Sequence, residues 1–97
     1  ARWMVLHAAW LLDQGDAHAP GDSFAMVKVQ ASQTLGRVVD RAVQIFGGMG
    51  FCKDLAIERY YRDARIYRIF DGTSEIHRGV IARSLGKRGA TLFELNR

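Results

Sequence analysis

Asp71-Gly72-Thr73-Ser74-Glu75-Ile76-His77-Arg78, taken together with the upstream stretch Gln44-Ile45-Phe46-Gly47-Gly48-Met49-Gly50-Phe51, decides how this chain folds. Each stretch interrupts a run of helical periodicity, and one helix's worth of residues separates them. At the second break Asp71-Gly72 stops one helix, and Thr73 or Ser74 supplies a hydroxyl to cap the next. Glu75 then falls in the first turn, where the helix dipole favours negative charge. Ile76, Val80 and Leu85 carry that helix's apolar face to about Gly86. At the first break Gly47-Gly48-Met49-Gly50 ends a long helix whose start Asp22 or Ser23 can cap by accepting an orphan backbone N–H.

Working outward, Val27, Ala31, Leu35, Val38, Ala42 and Ile45 fall on one side of the long helix. Gly36 lies inside it at a cost of about 1 kcal/mol relative to alanine, which points to close helix packing there. Between the breaks a helix over residues 54–69 offers Leu55, Ile57, Tyr60, Tyr61, Ala64 and Tyr67 as core positions. Residues 1–14 place Trp3, Leu6 and Trp10 on one stripe expected to be buried. Two glycines and the single proline make residues 14–22 a connection. No period-two strand pattern occurs. The expected fold is all-α, an antiparallel four-helix up-and-down bundle in a single domain over residues 1–97.

Composition narrows the function classes. Of 97 residues, 48% are hydrophobic and 25% charged, which is globular rather than disordered. No apolar run approaches the roughly 20 residues a membrane span needs. The net charge of +4 and the series Arg59, Arg62, Arg65 and Arg68 raise a nucleic-acid reading. Steps of three residues drift about 60° each around a helix, and Glu58 and Asp63 are interleaved. The arginines therefore read as a solvated or interface face with local ion pairs. One cysteine and three scattered histidines give neither a disulfide framework nor a zinc spacing. Cys52 has no histidine nearby in sequence, so it is not read as a nucleophile. Ala1-Arg2-Trp3 reads as helix interior, as expected for a piece of a longer polypeptide.

Two constellations carry possible chemistry, and each has a plain structural reading. Gly47, Gly48 and Gly50 can be a helix C-cap with a tight turn, or can let backbone N–H groups approach a phosphate. They follow a helix and not a strand, which disfavours a dinucleotide site of the Rossmann kind. Asp71 before glycine can be a turn residue with local hydrogen bonds, or a carboxylate set at a helix start to move a proton. Phe70 can be core or pocket lining. His77 has no partner spacing and reads as surface or interface.

Gln44-Ile45-Phe46-Gly47-Gly48 with Gly50-Phe51, then Tyr61-Arg62-Asp63-Ala64-Arg65-Ile66-Tyr67, then Asp71-Gly72-Thr73-Ser74-Glu75-Ile76 with Arg78, resemble the C-terminal helical domain of the acyl-CoA dehydrogenase family. The resemblance runs from Ala1 to about Gly86. It implies an FAD-dependent enzyme that oxidises acyl-CoA thioesters to 2-enoyl-CoA, by α-proton abstraction and β-hydride transfer to flavin. Asp71 would be the catalytic base, where most members carry glutamate. Its own backbone N–H would bond to the thioester carbonyl, and Phe70 and Gly72 would border the substrate. Gln44, Ile45, Phe46, Gly47 and Gly48 would contact the FAD of a neighbouring subunit, and Thr73, Ser74 and Glu75 would contact FAD as well. The resemblance further implies a flavin-linked electron acceptor and a homo-oligomer, dimer or tetramer. It places the protein in the cytoplasm, or in mitochondria or peroxisomes of a eukaryote. No metal and no nucleic acid is expected. Two alternatives stay open: a flavin oxidase of the same superfamily, similar to nitroalkane oxidase, and a non-catalytic helical assembly module.

Overall fold

A single long helix organises the molecule. The computed structural model describes residues 1–15, 21–89 and 91, and these contain only helices and turns. In order they are α1 (Arg2–Asp13), α2 (Gly21–Phe46), α3 (Gly48–Phe51), α4 (Ile57–Ala64) continued by a 3₁₀ turn at Arg65–Arg68, and α5 (Ser74–Arg88). At 1.5 Å per residue the 26 residues of α2 extend roughly 39 Å, and every other element packs against it. The all-α class expected from the sequence is the one observed.

Shared clefts and hydrogen bonds give the directions. Glu58 and Tyr61 of α4 lie beside Asp40 and Val43 of α2, and Arg65 and Arg68 lie beside Gln33 and Arg37. Further on, Ser84 and Arg88 of α5 reach Asp22. Both α4 and α5 therefore run antiparallel to α2, α4 over its C-terminal half and α5 over its N-terminal half. The turn at Asp71-Gly72 joins them in series, side by side with the middle of α2.

Asp22 locks the free ends of α2 and α5 together. Helix α2 begins at Gly21, so the carboxylate expected as a cap sits inside the first turn. It is only 7% exposed. Its Oδ1 accepts the Ser23 N–H at 3.0 Å, while Oδ2 accepts the Ser84 hydroxyl at 2.8 Å and the Arg88 guanidinium. On α4 the Glu58–Arg62 pair, at 2.8 Å and one helical turn apart, realises the local ion pairing expected of the arginine series. The Arg62 guanidinium bonded to Glu58 holds that carboxyl below its ordinary range.

The core is small, and here several expectations fail. The buried apolar side chains among the described residues are Ala8, Ala25 and Ala64. Trp3, Leu6 and Trp10 lie on the exposed side of α1, Trp3 at 83%. On α2, Leu35, Val38 and Ile45 are exposed, as are Tyr60, Tyr61 and Tyr67 downstream and Ile76 and Leu85 of α5. Val27, Ala31, Ala42, Leu55, Ile57 and Val80 are half-buried. The reason is geometric. Alanines at the crossings let α2 approach its partners closely, and a single spine cannot cover the large side chains that radiate from five helices. The surface of 7598 Å² exceeds the roughly 5,600 Å² of a compact chain of 10.9 kDa.

Local boundaries also differ. The third helix, expected over residues 54–69, is helical only from Ile57 and tightens to 3₁₀ after Ala64. No side chain caps its start, and its 3₁₀ extension ends at Arg68, three residues before the left-handed Asp71. Gly36 is not a packing glycine, because a Cβ there would meet nothing within 4 Å. The close approach is instead at Gly50, where a Cβ would stand 2.8 Å from the Val43 carbonyl oxygen.

Candidate active site

Asp71 occupies a turn held by side chains of two helices. Its φ is +53°, and it is the non-glycine residue with positive φ among those described. Aspartate tolerates this left-handed region better than most side chains. Gly72 follows at φ +89°. A Cβ on Gly72 would stand 2.8 Å from His77 Nε2, so the imidazole packs directly on the glycine. Nε2 lies 3.1 Å from the Asp71 carbonyl oxygen, which can only accept, so Nε2 carries the proton and donates.

Lys28 holds the same turn from α2. Its ammonium donates to the carbonyls of Tyr67 at 2.8 Å, Phe70 at 2.9 Å and Gly72 at 3.2 Å. The Nζ also sits 5.6 Å from the centre of the Phe70 ring, which meets Tyr67 edge-to-face at 5.0 Å. Phe70 is thereby fixed with part of its ring exposed beside Asp71. The Asp71 side chain is exposed and forms no hydrogen bond or ion pair recorded among the described residues.

The start of α5 completes this end of the site. Thr73 is the cap: its Oγ1 accepts the Ile76 N–H at 3.2 Å. Ser74 is only 6% exposed, and its Oγ has no partner among the described residues. A buried hydroxyl left unpaired costs about 1–3 kcal/mol, so this atom is suited to a ligand's polar group. It borders a cleft with Gln33, Arg65, Arg68, Thr73, Glu75 and Arg78. Donors therefore predominate where the helix dipole is positive.

The other stretch lies apart. Gln44, Ile45, Phe46, Gly47 and Gly48 are all exposed at the far end of α2. Gly47 takes φ +61° and ψ −138°, which glycine adopts almost alone. Its N–H caps α2 by donating to the carbonyls of Val43 at 3.0 Å and Gln44 at 3.2 Å. Space around Gly47 and Gly48 is open. Lys28 marks the level of the Asp71 turn, and Gln44 lies sixteen residues beyond it, about 24 Å along the helix. The fold thus brings Phe70, Asp71, Gly72, Thr73, Ser74 and Glu75 together and keeps the Gln44–Gly48 knuckle away from them.

Lys28 and His77 are the site residues that sequence reasoning missed. A faint signal existed for the first, as Lys28 is the one charged residue between Asp22 and Arg37. His77 acts on a backbone carbonyl and left no sequence signal.

The chain belongs to the acyl-CoA dehydrogenase family: the description "Acyl-CoA dehydrogenase, C-terminal domain" matches residues 1–86. It is 48% identical over 91% of its length to acryloyl-CoA reductase (NADH) of Anaerotignum propionicum, covering 22% of that protein. It is 44% identical over 90% of its length to the mitochondrial short-chain specific acyl-CoA dehydrogenase of Bos taurus, covering 21% of it. A solved structure from Mycobacterium abscessus, assigned as an acyl-CoA dehydrogenase, superposes with a TM-score of 0.83 at 40% identity over 91% of this chain and 22% of that one. The chain thus spans about a fifth of the length of these relatives. Membership implies a flavin as redox group. Among the described residues no helix is long and apolar enough to cross a membrane.

Proposed function

We propose that this chain forms part of the C-terminal helical domain of an FAD-dependent acyl-CoA dehydrogenase and supplies its catalytic base, Asp71. The observation that carries this reading is the Asp71 turn itself. An exposed carboxylate is held in a left-handed conformation by partners on two helices, and the next residue has no side chain. In this reading the Asp71 carboxylate and its own backbone N–H serve one small volume beside Gly72. The carboxylate removes the α-proton of an acyl thioester, and the Asp71 N–H stabilises the charge that gathers on the thioester carbonyl. Gly72 leaves room for the thioester, and Phe70 borders the acyl chain.

The residues at the start of α5 fit FAD. Ser74 Oγ lacks a partner among the described residues, and the Thr73 hydroxyl proton and the Ser74 and Glu75 N–H groups are donors for phosphate or ribose oxygens, the Ile76 N–H being already held by Thr73. Glu75 flanks them. When bound, FAD supplies the acceptor for the β-hydride. The separation of about 24 Å along α2 supports Gln44, Ile45, Phe46, Gly47 and Gly48 serving the flavin of a second copy in a homo-oligomeric dimer or tetramer. The surplus apolar surface supports the same assembly. A flavin-linked electron acceptor would reoxidise the enzyme. The same turn can also return a proton to the α-carbon in the reverse direction, the direction named for the acryloyl-CoA reductase relative.

Asp71→Asn in the flavoenzyme tests the reading. Asparagine keeps the turn and its N–H, so flavin content should stay stoichiometric, while anaerobic flavin reduction by acyl-CoA should slow at least 10²–10⁴-fold. Reduction within about tenfold of the parent would place the base elsewhere.

A further inference from the structure

We infer that Lys28 is the positioning residue of the base turn: its ammonium fixes and polarises the Asp71 peptide N–H that receives the thioester's developing charge. The inference rests on Asp71 acting as base and adds a second helix to the catalytic apparatus.

Peptide planarity transmits the constraint. A peptide group is rigid, so fixing its C=O fixes the N–H on its other side. The carbonyl of Phe70 and the N–H of Asp71 belong to one plane, and Lys28 Nζ binds that carbonyl at 2.9 Å. The Asp71 carbonyl shares a plane with the Gly72 N–H, and His77 Nε2 binds it at 3.1 Å. The Gly72 carbonyl shares a plane with the Thr73 N–H, and Lys28 binds it at 3.2 Å. Three successive planes around the carboxylate are therefore pinned, two of them by a single cation. The third donor of the ammonium reaches Tyr67 at 2.8 Å and ties the turn to the end of the preceding helix.

Geometry selects lysine here. An ammonium has three donors arranged as a tripod, and three carbonyls converge on it. A guanidinium presents its donors in a flat fork and does not match that arrangement. Charge adds to position. A cation on the Phe70 oxygen draws electron density through the amide and makes the Asp71 N–H a stronger donor, as linked hydrogen bonds strengthen one another. Lys28 itself touches neither substrate nor flavin on this account. Its effect on chemistry passes wholly through the Asp71 N–H.

The test uses the intact flavoenzyme with a 3-thia-acyl-CoA. Sulfur in place of the β-carbon leaves no β-hydride to transfer, so the α-proton step is observed alone. The apparent pKa of α-deprotonation of the bound thioester is read from a pH titration. Lys28→Met should raise that pKa by about one unit, a tenfold loss in the enolisation constant. That is less than the 10²–10³-fold cost of deleting an oxyanion donor outright, because the N–H remains. Flavin content and the Kd of the analogue at low pH should stay within about threefold of the parent. Amide hydrogen exchange across residues 70–73 should accelerate at the same time. Lys28→Arg, which keeps charge and bulk, is the second variant should methionine fail to fold. It too should raise the pKa, since its fork cannot serve three carbonyls.

An unchanged pKa in a flavin-replete Lys28→Met, or in Lys28→Arg, overturns the inference. Asp71→Asn separates the two claims. If that variant still deprotonates the analogue, the base assignment fails; if it does not, and the Lys28 variants titrate like the parent, only the positioning role fails.

Discussion

Gly72→Ala probes the turn at its tightest point. A Cβ at this position would stand 2.8 Å from His77 Nε2, 3.2 Å from Cε1 and 3.4 Å from Cδ2. Ordinary contact begins near the last of these, so the ring must retreat by about half an ångström or swing away. Either movement stretches the 3.1 Å bond from Nε2 to the Asp71 carbonyl beyond a useful length. Losing it costs about 0.5–1.5 kcal/mol. The backbone adds its own penalty: φ of +89° is unfavourable for any side chain, by about 1–2 kcal/mol. Together the substitution should destabilise by about 1.5–3.5 kcal/mol. Because His77 is displaced and backbone is not, the two terms can be separated. In a His77→Ala background, Gly72→Ala should cost only the backbone part, about 1–2 kcal/mol. Urea unfolding of all four variants, followed by far-ultraviolet circular dichroism, gives the cycle. Equal costs of Gly72→Ala in both backgrounds would refute the packing of His77 on Gly72.

Two further outcomes follow from the packing. Asp22→Ala removes the acceptor shared by Ser23, Ser84 and Arg88, and should lower the unfolding free energy by about 1–3 kcal/mol. A urea midpoint equal to the parent's would show that the α2–α5 clasp contributes nothing. This chain by itself should self-associate, since its 7598 Å² of surface exceeds the compact expectation by about 2,000 Å² and includes many large apolar side chains. Sedimentation velocity across the micromolar range should show species larger than a monomer; a single monomeric boundary throughout would contradict the expectation.

What the sequence revealed follows from what leaves a periodic or compositional trace. The helical class was legible because apolar residues recur at three- and four-residue steps, and the breaks because glycine and aspartate punctuate them. A hydroxyl cap at Thr73 or Ser74 and the stop at Phe46 were legible for the same reason, and the structure gives the cap to Thr73. Periodicity names a face without naming what covers it, so Trp3 and Trp10 were expected inside and stand exposed. The helical turn at Gly48–Phe51 was hidden because glycine-rich composition argues against helix, and packing of Gly50 on Val43 overrides that preference. At the site, Asp71 was visible as a carboxylate beside a glycine. Lys28 and His77 were not, because both bind backbone carbonyls, and backbone groups are present at every position. Ser74 was read as a possible cap; its burial without a partner emerged only once Thr73 had taken that role.

In the proposed reaction Asp71 takes the α-proton, and isotope exchange measures that step alone. The intact flavoenzyme is incubated in D₂O with a 3-thia-acyl-CoA, which cannot lose a β-hydride, and α-deuteration is followed by proton NMR. The parent enzyme should exchange the α-hydrogens during the incubation. Asp71→Asn, with its flavin retained, should exchange them at least 10²–10⁴-fold more slowly. Exchange in Asp71→Asn within about tenfold of the parent rate would contradict the account.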